Sequence, residues 1–191
     1  MSKGLKTILI IVAVLALIFV PVISSYNNMV ALEQNVNKAQ SDIDTQLQRR
    51  LDLIPNLVAT VKGYAAQEKS IFTEVADARA KLAGAQTISE KADADSALST
   101  SLSRLLVIVE NYPQLKSDQN FKDLSVALEG TENRIGIARK DYNNAVNTYN
   151  STIKKFPNAL IAGIFRFQEK PYYKASNGAQ EVPKVDFTPV Q

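Results

Sequence analysis

Hydrophobic and polar residues alternate along this chain with a helical period almost throughout. Residues 121–156 carry the longest run. Phe121, Leu124, Leu128, Thr131, Ile135, Ala138, Tyr142, Ala145, Tyr149, Thr152 and Phe156 recur at alternating intervals of three and four. Lys, Asp, Glu, Arg and Asn fill the positions between them. A period near 3.5 puts one apolar seam on a long helix. Such a seam needs partners to cover it, and the rest of the chain offers three further helical stretches.

The first begins inside the N-terminal stretch. Residues 7–23 carry no charge, and with their flanks they reach the roughly 20 residues that span a bilayer core. The small-residue pattern of a cleavage site is poor around Ile23, Ser24 and Ser25, so the stretch reads as an uncleaved anchor rather than a signal peptide. Met29, Leu32, Val36, Ala39 and Ile43 then continue a three–four spacing to about Leu51. Pro55 disfavours helix at Ile54 and removes the bond to the Leu51 carbonyl. A helix boundary is therefore expected there, with Asp52 as N-cap; one helix kinked at Pro55 is the alternative.

A second seam runs Ile54, Leu57, Val61, Tyr64, Glu68, Ile71, Val75, Ala78 and Leu82, with Gly84 as C-cap. Glu68 alone interrupts it, as an edge carboxylate reaching solvent. Residues 85–95 read as a loop. Ala94, Leu98, Leu102, Leu105, Val109 and Tyr112 form the third seam, which Pro113 should end. Ser117 and Asp118 offer an N-cap for the long helix. Short loops make consecutive helices antiparallel.

The expected fold is all-α: an N-terminal transmembrane helix followed by an up-and-down antiparallel four-helix bundle of long, coiled-coil-like helices. Residues 1–26 form the tail and anchor, 27–156 the bundle, 157–173 an apolar segment and 174–191 a flexible tail. The apolar segment is too short to span a bilayer. Lys154, Lys155, Arg166 and Lys170 surround it, and Phe165, Phe167, Tyr172 and Tyr173 lie in or after it. That pattern suits an interfacial helix or a cap on the bundle's open end. A disordered terminus is the expectation for the tail; the alternative is that residues 182–187 add to a sheet edge or dock on a protein partner such as a neighbouring subunit.

Composition narrows the chemistry. The chain of 191 residues has no Cys and no His. Disulfides, the usual tetrahedral zinc sites and histidine acid–base chemistry are excluded. Net charge is +3, and +1 once Lys3 and Lys6 are set aside, which signals no nucleic-acid surface. Those two lysines precede the anchor, and the next basic residue is Lys38. The positive-inside rule puts the N-terminus in the cytoplasm and the bundle outside it, in the cell envelope.

Polar residues gather in three places. One is Gln46, Gln48, Arg49, Arg50, Asp52 and Asn56; another is Arg104, Glu110 and Asn111; the third is Glu129, Glu132, Asn133, Arg134, Arg139, Asp141 and Asn143. Paired carboxylates act as acid and base only where their surroundings separate their pKa values, and helical spacing gives no sign of that. These residues read as solvated charges and bridges between helices. No catalytic, metal or cofactor-binding residue is assigned, and no cofactor is expected.

Four blocks carry a resemblance: QLQRRLDLIPNLVATVKGYA (46–65), LSRLLVIVENYPQLK (102–116), LEGTENRIGIARKDYNNAV (128–146) and FPNALIAGIFRFQEKPYY (156–173). In them the chain resembles the LemA family of bacterial membrane proteins over nearly its whole length. The resemblance implies a single-pass anchor and a helical-bundle domain, and it brings no established catalytic residues. It also implies a role in envelope organisation or membrane remodelling, since a relative takes part in building a bacterial membrane organelle. The expectation is a non-enzymatic, self-associating scaffold in contact with the lipid bilayer, a homo-oligomer; the alternative is an adaptor holding a protein partner or lipid through the bundle.

Overall fold

The computed structural model describes residues 3–174. The C-terminal tail, including the 182–187 docking segment, lies outside the described residues apart from Lys174. Those residues form helices and connections, with no strand among them. The helices are α1 (Lys3–Tyr64), α2 (Lys69–Gly84), α3 (Ile88–Val109), α4 (Pro113–Ser117), α5 (Gln119–Lys154) and α6 (Asn158–Phe165).

The all-α expectation holds, but the boundary at Pro55 does not. α1 runs unbroken for 62 residues through both Pro21 and Pro55. Its buried stripe, Ile43, Leu47, Arg50, Leu51, Ile54, Leu57 and Val61, passes Pro55 without losing phase. The physical reason is a substitute donor. Pro55 has no N–H for the Leu51 carbonyl, and Arg79 Nε on α2 donates to that oxygen at 3.0 Å. Asp52 is no cap here; it accepts from Gln48 one turn back, at 2.8 Å. The chain reverses at residues 65–68 instead. Glu68 interrupts the expected seam because it sits in that turn, where its carboxylate accepts from the Tyr112 hydroxyl at 3.3 Å.

α3 starts earlier than the loop expected over 85–95. Thr87 and Glu90 form a capping box: Thr87 Oγ accepts from the Glu90 N–H (3.2 Å), and Glu90 Oε2 accepts from the Thr87 N–H (2.9 Å). The T-x-x-E signature is present in the sequence and marks this start. Asp118 caps α5 as expected, accepting from the Phe121 N–H at 2.9 Å.

The seam of α5 also differs. Beyond Tyr142 the chain buries Val146 and Ile153, not Ala145 and Thr152, and Phe156 is 82% exposed. A helix of 3.6 residues per turn drifts by about 20° per heptad from a 3.5 repeat. α5 follows the undistorted helix.

The chain divides into two compact units: Met1–Gln46 with Arg134–Tyr172, and Leu47–Asn133 with Tyr173–Gln191. In the first, the apolar side chains described between Leu5 and Ile23 are exposed except Val22, which is half-buried, and burial begins at Met29 and continues through Val36 and Ile43. Ile135, Tyr142, Val146, Tyr149 and Ile153 of α5 and Ile161 of α6 complete that core. The second unit is cored by Leu47, Ile54, Leu57 and Val61 of α1, with Val75, Leu98, Leu105 and Leu115 from α2, α3 and α4.

Candidate functional site

The second unit holds a charged cluster inside its core. Arg50 projects from the buried stripe of α1 and is 5% exposed; Asp95 of α3 is 0% exposed. Arg50 Nη1 lies 2.6 Å from Asp95 Oδ1 and 2.8 Å from Glu132 Oε2 of α5. Its Nη2 donates to Ser99 Oγ at 2.9 Å, and the Tyr173 hydroxyl donates to Asp95 Oδ2 at 3.4 Å. Burial pushes the Arg50 pKa down, opposed by Glu132 and Tyr173. The guanidinium starts from so high a value that it stays charged.

Beside the cluster lies a cleft of about 450 Å³ between α1, α3 and α5. Leu57, Leu102, Leu106 and Leu128 give it an apolar wall; Arg50, Ser125, Glu129 and Glu132 give it a polar one. Arg50 Nε and Ser125 Oγ are buried without a hydrogen-bond partner.

Of the three polar groups read from the sequence, only Arg50 and Glu132 meet in this cluster. Gln48 and Asp52 pair on the outer face of α1. Arg104 bridges to Glu74 on α2 at 2.9 Å, and Glu110 to Lys116 at 2.6 Å, so those two do not meet. In the first unit Arg134 donates to Gln46 Oε1 at 3.3 Å, beside a smaller cleft lined by Asp42 and Asp141. The sequence reading missed Asp95, Ser99 and Tyr173. A signal existed for Asp95: stepping back from Leu102 through Leu98 by helical intervals reaches 95, then Ala92 and Ile88, all interior. A carboxylate at such a position demands a cation.

The first unit carries a second polar feature. After α6 the chain runs extended along α5. The Asn150 side chain receives the Lys170 N–H (2.9 Å) and donates to the Lys170 carbonyl (2.9 Å). The Tyr142 hydroxyl donates to the Pro171 carbonyl at 2.8 Å. Lys154–Glu169 (2.8 Å) and Lys170–Glu33 (2.6 Å) bridges flank this strap. These groups hold a backbone in place; none is a nucleophile presented to a base. Among the described residues no group of three or more acidic side chains is placed to hold a metal ion.

The profile described as "LemA family" matches residues 39–187. The chain belongs to the LemA family. Three similar proteins fit that membership. Magnetosome proteins MamQ 1 and MamQ 2 of Paramagnetospirillum magneticum are each 27% identical over 221 residues, covering 100% of this chain and 78% of the relative. Magnetosome protein MamQ of Magnetospirillum gryphiswaldense is 27% identical over 201 residues, covering 91% and 74%. In this LemA-family chain the interior charges close on one another, Arg50 reaching both Asp95 and Glu132.

Proposed function

We propose that this LemA-family protein is a non-enzymatic, membrane-anchored helical protein that associates with copies of itself as a scaffold in envelope organisation or membrane remodelling. One observation carries the membrane part of the reading. α1 opens with an exposed apolar stretch, long and apolar enough to cross a membrane, and continues without a break into the packed helices. An exposed stretch of that size is stable in lipid and not in water. The magnetosome proteins it resembles belong by name to a bacterial organelle, which agrees with a role at a membrane. Lys3 and Lys6 favour a cytoplasmic N-terminus and an extracytoplasmic bundle.

The cleft beside Arg50 favours one other reading, an adaptor that holds a protein partner or lipid there. The mass of the full-length protein in native membranes, with cross-linking in cells, separates the two. Assemblies of many copies are expected for the scaffold. A strict monomer with a stoichiometric partner would sink it in favour of the adaptor.

A further inference from the structure

α6 is eight residues long and mostly apolar, yet only Ile161 and Ala162 are buried. Leu160 is 62% exposed, Ile164 75% and Phe165 51%, with Phe156 just before them. Leu160 and Ile164 lie one turn apart and share a face. Water is a poor medium for such a surface, and its position points to another.

Two contacts tie α6 to the end of the apolar stretch of α1. Ser25 Oγ donates to Asn158 Oδ1 at 2.6 Å. The Tyr26 ring meets Phe165 at 4.7 Å and Phe167 edge-on at 5.7 Å. Ile23, two residues before Ser25, is the last exposed large apolar residue of that stretch. The exposed side chains of α6 therefore continue the apolar surface of the anchor at the depth where it leaves the hydrocarbon. Aromatic rings gather at the same level, as they do at membrane–water interfaces.

The charges beside α6 are basic. Lys155 and Arg166 stand exposed at its two ends. Arg166 closes the helix at φ 60°, and the next N–H, of Phe167, returns to the Ala162 carbonyl at 3.0 Å. Glycine adopts that conformation without strain; here the position carries a guanidinium. Glu169, the nearest acidic side chain in sequence, is bridged to Lys154.

We infer that α6 is a second membrane contact: it lies in the interface of the bilayer that α1 crosses, with Leu160, Ile164 and Phe165 among the acyl chains and Lys155 and Arg166 on anionic lipid headgroups. The inference rests on the reading of α1 as an anchor. It turns a single tether into two points of attachment and fixes how the first unit meets the lipid surface.

The chain has no cysteine, so single labels are clean. Full-length L15C, I164C and I137C variants, each labelled with an environment-sensitive fluorophore, are reconstituted at low protein density into phosphatidylcholine vesicles with and without phosphatidylglycerol. Quenchers are attached at shallow or deep positions of the lipid. The Leu15 label should respond to the deep quencher. The Ile164 label should shift to the blue and respond to the shallow one, more so with phosphatidylglycerol. The Ile137 label, exposed on α5 19 residues before Phe156 in sequence, should respond only to a quencher in water. Substituting both Lys155→Gln and Arg166→Gln should remove the gain from phosphatidylglycerol. An Ile164 label that behaves like that at Ile137, while Leu15 stays deep, overturns the inference and leaves the anchor standing. A Leu15 label in water overturns the anchor itself. Ile164 shielding that grows with protein density and ignores lipid quenchers means a second copy covers α6, and also overturns the inference.

Discussion

At the residue scale, the interior of this protein separates polar groups that hold something from polar groups that do not. Asp95 and Arg50 hold each other in the interior. Removing the Asp95 charge leaves Arg50 with Glu132 alone, a partner 43% exposed, so Asp95→Asn should cost about 1–3 kcal/mol of stability. Replacing both, as R50M with D95L, should cost less, and chemical denaturation of the two variants in detergent checks the difference. Two tyrosines make the same contrast. Tyr142 donates to the Pro171 carbonyl, so Tyr142→Phe should lose about 1 kcal/mol. The Tyr149 hydroxyl is buried with no hydrogen-bond partner, and burial pushes its pKa up. Tyr149→Phe should be neutral or stabilising in the same melts. Both tyrosines were readable as core from the helical spacing. Their different roles were not, because the strap that Tyr142 holds is extended and carries no periodicity. Arg50 was recognised as polar but not as interior, since its partner Asp95 is 45 residues away and spacing within one helix cannot reveal a partner on another.

At the element scale, capping and carbonyl rescue decide where helices start and whether they continue. The Leu51 carbonyl depends on Arg79 because Pro55 offers it nothing. Arg79→Met should cost about 1–2 kcal/mol in the native sequence. It should cost clearly less in a Pro55→Ala background, where the backbone N–H returns; a double-mutant cycle measures the coupling. The capping box at α3 has a pH signature. The Thr87 N–H and then the Gln86 N–H hold the Glu90 carboxyl below its ordinary 4.5. A depressed carboxylate stabilises the fold fully above the unfolded value and loses that contribution as pH falls through the folded one. Asp118, lowered from 3.8 chiefly by the Phe121 N–H, acts in the same direction. The melting temperature should therefore fall below about pH 4.5, and E90Q with D118N should flatten that acid limb. The helices themselves were plain in the hydrophobic pattern. Their ends were less so: at Pro55 the carbonyl that the proline abandons is answered from α2, and no pattern within α1 shows that.

At the scale of the whole molecule, sequence pattern alone supports the all-α class, the apolar N-terminal stretch and the apolar segment that became α6. The drift of the α5 seam escaped it, because a 3.5 and a 3.6 repeat diverge only over several turns. The continuity of α1 has one further consequence. No linker separates the apolar stretch from the first buried residue, Met29, so that stretch and the core of the first unit share one helical phase. One alanine inserted between Ile23 and Ser24 turns every outward face of the apolar stretch by about 100° relative to that core. Seven inserted residues, about 700° by the same geometry, nearly restore it. A solitary molecule in a fluid bilayer has no reference direction and should function equally well with either insert. Copies that touch both within the lipid and outside it would be thrown out of register by the first and brought back by the second. Assembly size measured across a series of one to seven inserted residues should then rise and fall with the turn of the helix, and a flat series would mean that copies do not meet through both surfaces.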